Sequence, residues 1–180
     1  MKLDCNQSVL LVIDIQEKLL PVMNNAIELL TSATKLIRGM QILDIPIVLT
    51  EQYPRGLGAT VSEIRNLIPD IEAVEKRSFS CCFDENIMSV LDKHDRKQVL
   101  VSGIETHVCV YQTCIDLVEK GYNVFLVTDA VSSRRQDEKD LAVRVLEKEG
   151  VQLRSVEMAL FELIKTSQHA RFKELSTIIK

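Results

Sequence analysis

Three residues of this 180-residue chain combine a reactive type with a setting that can use it: Cys109, Asp14 and Lys76. Cys109 lies in the segment Val99–Val110, VLVSGIETHVCV. That segment reads as a buried strand, a turn at Gly103, a short polar loop, and a helix that Thr106 can cap. At a helix start, unpaired backbone N–H groups and the helix dipole favour negative charge. A thiol there is expected to lose its proton more easily and act as a nucleophile near neutral pH. The same N–H groups can hold an oxyanion. A small buried apolar cysteine is the plainer alternative. Asp14 follows the apolar run Val9–Ile13 directly, so its carboxylate falls at the carboxyl end of a strand, where α/β proteins bind ligands. A turn or helix-cap role fits Asp14 equally well. Lys76 ends the segment Ala73–Lys76. Beside an aspartate and a thiolate it would depress both acidic pKa values. Elsewhere it is a solvated charge, and the adjacent Arg77 can serve the same role.

Other residues are candidates of lower rank. Gln16 can hydrogen-bond a substrate or face solvent. His107, two residues before Cys109, suggests a cysteine–histidine dyad, although residues two apart at a helix start point in different directions. Cys81 and Cys82, in KRSFSCCFDE, either line a pocket with Phe79 and Phe83 or simply pack. The loop Glu51–Thr60, EQYPRGLGAT, is long enough to form a lid or a substrate wall, and carries Tyr53.

These residues need a scaffold. Strands are expected at Val9–Ile13, Ile45–Thr50, Gln98–Ser102 and Tyr122–Thr128, with shorter ones at Ala73–Glu75 and Val151–Ser155. The central runs are almost continuously apolar, as in parallel strands buried on both faces. Helical periodicity covers Leu19–Leu43, with Pro21 in its first turn. Further helices are expected after a cap at Asp84 through Leu91, over Thr106–Lys120 to a stop at Gly121, and over Asp137–Glu149 to a stop at Gly150. Val156–Lys165 and Ala170–Ile179 close the chain. Alternating strands and helices predict a parallel sheet covered by helices, with right-handed crossovers.

Composition narrows the function. A hydrophobic share of 46% with 6 glycines and 4 prolines fits a compact fold, read as a single domain over residues 1–180. A net charge of -4 and the absence of a basic stripe argue against a nucleic-acid partner. No apolar stretch approaches the roughly 20 residues of a membrane span, and Val9–Ile13 is too short for a secretory signal. Five irregularly placed cysteines do not form a disulfide framework or a zinc pattern. A cytoplasmic protein without a metal or other cofactor is expected. The apolar C-terminal region, Val156–Ile164 and Leu175–Ile179, suggests a homo-oligomer.

Taken together, Asp14 in LLVIDIQEKL, Lys76 in VEKRSFSCCF and Cys109 in VSGIETHVCV resemble the isochorismatase-like hydrolases, or cysteine hydrolase superfamily. The resemblance runs from about Asn6 to about Ile179, and the tail SSRRQDEKDLA is similar to the isochorismatase domain-containing branch. It implies a three-layer, Rossmann-like α/β fold with a six-stranded parallel sheet in the order 3-2-1-4-5-6. It implies a catalytic triad of Asp14, Lys76 and Cys109. It also implies a cis peptide between Ile104 and Glu105, aiming the N–H groups of Glu105 to Cys109 at an oxyanion. Nicotinamidases of the superfamily carry an Asp-x-His and a further histidine that bind zinc. This chain reads Asp14-x-Gln16 and has no histidine between Met1 and Lys93, so no metal is expected. The reading is a metal-independent cysteine hydrolase for a small amide or related carbonyl compound, working through a thioester. Gln16, Tyr53, Phe79 and Cys81 are the guessed pocket residues. A catalytically silent scaffold and a thiol redox sensor are the alternatives.

Overall fold

β1 (Ser8–Ile13), the apolar run SVLLVI, is buried at every position. A strand without a polar face must be covered on both sides, and this one lies at the centre of the sheet. In the computed structural model, which describes residues 1–179, β1 pairs in parallel with β2 (Ile47–Gln52) and with β4 (Gln98–Ile104). β3 (Ala73–Lys76) extends the sheet beyond β2; β5 (Asn123–Ser132) and β6 (Gln152–Arg154) extend it beyond β4. The order is β3-β2-β1-β4-β5-β6, parallel throughout, as the resemblance implied.

Side chains alternate across each strand, which divides the core in two. Leu10, Val12, Leu49, Leu100 and Phe125 pack on one face against α1 (Ala26–Ile42), with α2 (Pro54–Leu57) and α3 (Ser62–Arg65) in the loop region beyond β2. Val9, Leu11, Ile13, Val99 and Val101 pack on the other face, against α4 (Glu85–Lys93), α5 (Tyr111–Glu119) and α6 (Gln136–Lys148). The last two helices, α7 (Val156–Ile164) and α8 (Phe172–Ile179), join the α1 side. Their apolar residues Val156, Leu160, Leu163, Ile164 and Leu175 are buried in this chain's own core, whereas Met158 and Phe161 on α7 remain exposed. Among the described residues, no helix is long and apolar enough to cross a membrane.

Several local expectations are corrected. The helix expected over Leu19–Leu43 is a 3₁₀ turn, Leu20–Val22, followed by a break and then α1. Asn24 donates its N–H to the Ser133 carbonyl (2.9 Å) and accepts from the Ser132 hydroxyl (2.6 Å), which ties the chain to the end of β5. Asn25 then takes the left-handed conformation (φ 53°) that asparagine tolerates. β2 starts two residues later than expected and runs on to Gln52, and β5 runs on to Ser132. Polar residues at those strand ends masked the continuation. Asp84 does cap α4, accepting from the Asn86 and Ile87 amides. Thr106 caps nothing: the helix opens as a π-helical turn, Thr106–Val110, with Glu105 at the cap position. The Thr106 hydroxyl is buried without a hydrogen-bond partner.

Gly103 sets how closely β4 approaches β1. It pairs with Ile13 and has φ +132°, and a Cβ there would stand 2.1 Å from the Ile13 carbonyl oxygen. Backbone cannot yield as a flexible side chain can. Gly103→Ala is therefore expected to lose about 3 kcal/mol of stability, from backbone conformation and overpacking together. Urea unfolding checks this; a midpoint within error of wild type would show that the strands can part.

Candidate active site

The parallel sheet brings the ends of β1, β3 and β4 to one edge, and each delivers one of the three residues singled out above. Asp14 leaves β1 with φ 54°, a left-handed turn that aspartate tolerates better than most residues. Its amide donates to the Thr50 carbonyl (3.3 Å). Its carboxylate is fully buried: Oδ1 accepts from the Thr50 hydroxyl (2.8 Å) and Oδ2 from Lys76 Nζ (2.6 Å).

Lys76, the last residue of β3, is among the largest fully buried side chains. Burying an ammonium is costly unless it is paired and its N–H groups are satisfied. Here Nζ donates to Asp14, to Gln52 Oε1 (2.8 Å) and to the Ser78 and Phe79 carbonyls (both 3.2 Å). Burial presses this ammonium toward neutrality. The Asp14 carboxylate, with the thiols of Cys109 and Cys81, outweighs that, and Lys76 stays above the usual lysine pKa.

Cys109 stands fourth in the π-helical turn and is 8% exposed. Its thiol is pushed up to about 12, first by burial and then by the Asp14 carboxylate, with Lys76 pulling the other way. The easy ionisation expected from the helix start is thus reversed. Desolvation of a charged sulfur outweighs a few backbone dipoles, and the resting thiol is protonated.

The loop before Cys109 contains the cis peptide Ile104–Glu105. The amides of Val108 and Val110 both donate to the Glu105 carbonyl (3.0 and 3.2 Å), so neither is free for an oxyanion. That leaves the amides of Glu105, Thr106, His107 and Cys109 as candidates from this stretch. The Glu105 carboxylate accepts from the Arg134 amide and Nε, both at 3.0 Å, which anchors the loop to the turn after β5. His107 Nδ1 is bonded to the Ser133 hydroxyl (2.9 Å). That bond directs one ring nitrogen to the end of β5, and His107 is not among the groups acting on the Cys109 thiol.

The guessed pocket residues divide. Gln16 is buried: its Nε2 donates to the Gln52 and Gly58 carbonyls (3.0 and 2.6 Å), and its Oε1 accepts from the Gln52 amide (2.7 Å). Its amide holds β2 and the following loop together, so it does not face solvent. Cys81 is also fully buried and pushed up to about 12 by desolvation, with Lys76, Asp14 and Cys109 all acting on it. It packs beside Asp14, Lys76 and Cys109 without an open face. Tyr53 is 40% exposed, under the Arg77 guanidinium at 3.9 Å, and its amide donates to the Lys76 carbonyl (3.1 Å). Phe79 holds Lys76 through its carbonyl while its ring is 55% exposed. Two exposed aromatic rings therefore border the β3 end of the site.

Thr50 and Gln52 are the partners that sequence reasoning passed over. They stand two apart on β2, so their side chains share a face, and that face meets Asp14 and Lys76. Period-two polar residues at the end of an apolar strand were the available signal. Among the described residues, no cluster of three or more His, Cys, Asp or Glu side chains is placed to hold a metal ion.

Known proteins share this fold. Residues 8–158 match the isochorismatase domain. A "secreted isochorismatase effector Isc1" from Phytophthora sojae is 38% identical, across 97% of this chain and 85% of that protein. The "isochorismatase domain-containing protein 2" of Danio rerio is 37% identical, across 99% and 89%. Among solved structures, the "MAR1 ribonuclease" from Caenorhabditis elegans superposes with a TM-score of 0.94 at 37% identity, across 99% of this chain and 92% of that one. With the domain match spanning most of the chain, and two relatives and a solved fold agreeing over nearly all of it, this chain belongs to the isochorismatase family.

Proposed function

We propose that the protein is a metal-independent cysteine hydrolase for a small amide or a related carbonyl compound. The observation that carries this reading is the buried Asp14–Lys76 pair, 2.6 Å apart, whose two charges both act on the Cys109 thiol. A carboxylate fixed by an ammonium and a hydroxyl beside a neutral thiol is a general base poised next to a nucleophile. With the thiol at about 12, proton transfer to Asp14 accompanies attack, and no free thiolate precedes it. Cys109 Sγ bonds to the substrate carbonyl carbon as Asp14 takes the thiol proton. The carbonyl oxygen becomes an oxyanion, stabilised by free N–H groups of the Glu105–Cys109 loop at about 3 kcal/mol per donor. Asp14 returns the proton to the leaving amine as the C–N bond breaks. Water, deprotonated by Asp14, then cleaves the thioester, releasing the acid and restoring the thiol. Lys76 keeps Asp14 in place and offsets negative charge as it gathers on sulfur.

The C. elegans relative is named a ribonuclease. A chain of net charge -4 with a buried cysteine site suits carbonyl chemistry better than a polyanion, so the substrate side of the proposal is a small molecule. The five unpaired cysteines favour a reducing, cytoplasmic setting.

The experiment is an acid quench during turnover of a panel of small amides, with an RNA oligonucleotide included and EDTA present throughout. Intact mass should show one acyl group, mapped to the Cys109 peptide. Turnover without an acyl adduct, or RNA cleavage that persists in Cys109→Ala, would sink the reading.

A further inference from the structure

Gln52 carries no chemistry of its own, yet every polar group it has faces the end of the sheet where the site lies. Its peptide group is gripped on both sides by one amide: its N–H donates to Gln16 Oε1 (2.7 Å) and its carbonyl accepts from Gln16 Nε2 (3.0 Å). Its own side chain then reaches across to β3. Oε1 accepts from Lys76 Nζ (2.8 Å), and Nε2 donates to the Arg77 carbonyl (2.9 Å). Among the described residues, Gln52 is the one side chain besides Asp14 that accepts from the ammonium; the remaining acceptors are the Ser78 and Phe79 carbonyls at 3.2 Å. Resting on the triad reading above, we propose that Gln52, held by Gln16, is a positioning residue that fixes the Lys76 ammonium between Asp14 and Cys109.

The residue type suits the task. An amide presents an acceptor to the ammonium and a donor to the Arg77 carbonyl at once. A glutamate can accept but cannot donate to that carbonyl, and it would add a second negative charge beside the pair. A leucine would do neither, leaving Lys76 free to settle toward the Ser78 and Phe79 carbonyls. The charged and titratable groups around this point are few. Asp14 and Lys76 act on Cys109, and Asp14, Cys109 and Cys81 act on Lys76. In the Cys109 segment, Glu105 is tied to Arg134 and His107 to Ser133.

The test is the second-order rate of iodoacetamide labelling at pH 8, read peptide by peptide, so it needs no substrate. Cys82 is the internal reference, because Asp116, Ser80 and Lys120 act on it and Lys76 does not. Gln52→Glu should slow Cys109 relative to Cys82 by about tenfold, the effect of one pKa unit from an added like charge. Gln52→Leu should slow it by about threefold, as the ammonium draws away. Should Gln52→Leu not fold, Gln52→Glu, which keeps the length and the acceptor, carries the test. An unchanged Cys109:Cys82 ratio in a folded Gln52→Glu variant would overturn the inference, as would both thiols speeding up together. Lys76→Met separates the two readings. A ratio moved by Lys76→Met and not by either Gln52 variant rejects this role alone. A ratio unmoved by Lys76→Met rejects the triad beneath it.

Discussion

Cys109→Ala should remove turnover almost completely, with a loss on the order of 10⁵-fold or more in kcat, as when the nucleophile of a covalent triad is deleted. No nearby thiol can substitute. Cys81 and Cys114 are fully buried, and Cys82 is engaged by a different set of neighbours. The fold should barely register the change. One sulfur is lost from a site that is 8% exposed, so the expected cost is no more than about 1 kcal/mol. Asp14→Asn should be similarly silent in turnover, because an amide cannot take the thiol proton. The two measurements are kcat on any substrate found by acyl trapping and the urea midpoint. Residual turnover above a few per cent in Cys109→Ala, with the midpoint unchanged, would move the nucleophile elsewhere.

Lys76→Met should have the opposite profile, striking stability as hard as activity. It strips a fully buried carboxylate of its cation while leaving the Thr50 hydroxyl and the Asp14 backbone contact in place. Breaking one side of a buried pair costs about 3–5 kcal/mol, a large share of the 5–15 kcal/mol that typically holds a domain together. The double variant Asp14→Asn/Lys76→Met buries no charge and should regain most of that stability while remaining inactive. The pH dependence follows from the raised Lys76 pKa. A group whose folded pKa lies above its unfolded value lends stability that is complete below the unfolded value and disappears as pH rises through the folded one. Wild type should therefore lose stability above about 10.5, the ordinary lysine value, whereas Lys76→Met should lack that alkaline step. Equal alkaline profiles would show that the ammonium contributes nothing to folding.

Why some of this site can be read from the chain and some cannot is a question of range. Asp14 stands out because it ends an apolar run, and Cys109 because it follows one after a glycine turn; Lys76, at the end of the mixed segment AVEK, stands out only through the family resemblance. Strand ends are where a parallel sheet exposes chemistry, so local pattern marks the Asp14 and Cys109 ends, while the strand order and the grouping of the three residues come from the family resemblance. Thr50 and Gln52 escape that logic, since their partners lie 36 and 24 residues away. Gln16 looked free for the same reason; its partners come from the end of β2 and the loop after it, 36 to 42 residues on. The helix break before α1 depends on Ser132 and Ser133, more than a hundred residues downstream. The thiol shows a different failure. Helix position favours ionisation and burial opposes it, and only burial, a property of the whole fold, decides the sign.

Asp14 and Lys76 are separated by 62 residues, and Cys109 reaches them only once β4 has docked on β1. No contiguous stretch of chain contains even a rudimentary version of the site. Loop-closure entropy must be overcome three times before a proton can move, and parallel pairing makes those closures slow. A nascent or partly unfolded chain thus keeps an ordinary thiol without an adjacent base or cation to assist it. Catalytic competence is in this sense a certificate of complete assembly, issued only after β1, β2, β3 and β4 are all in register.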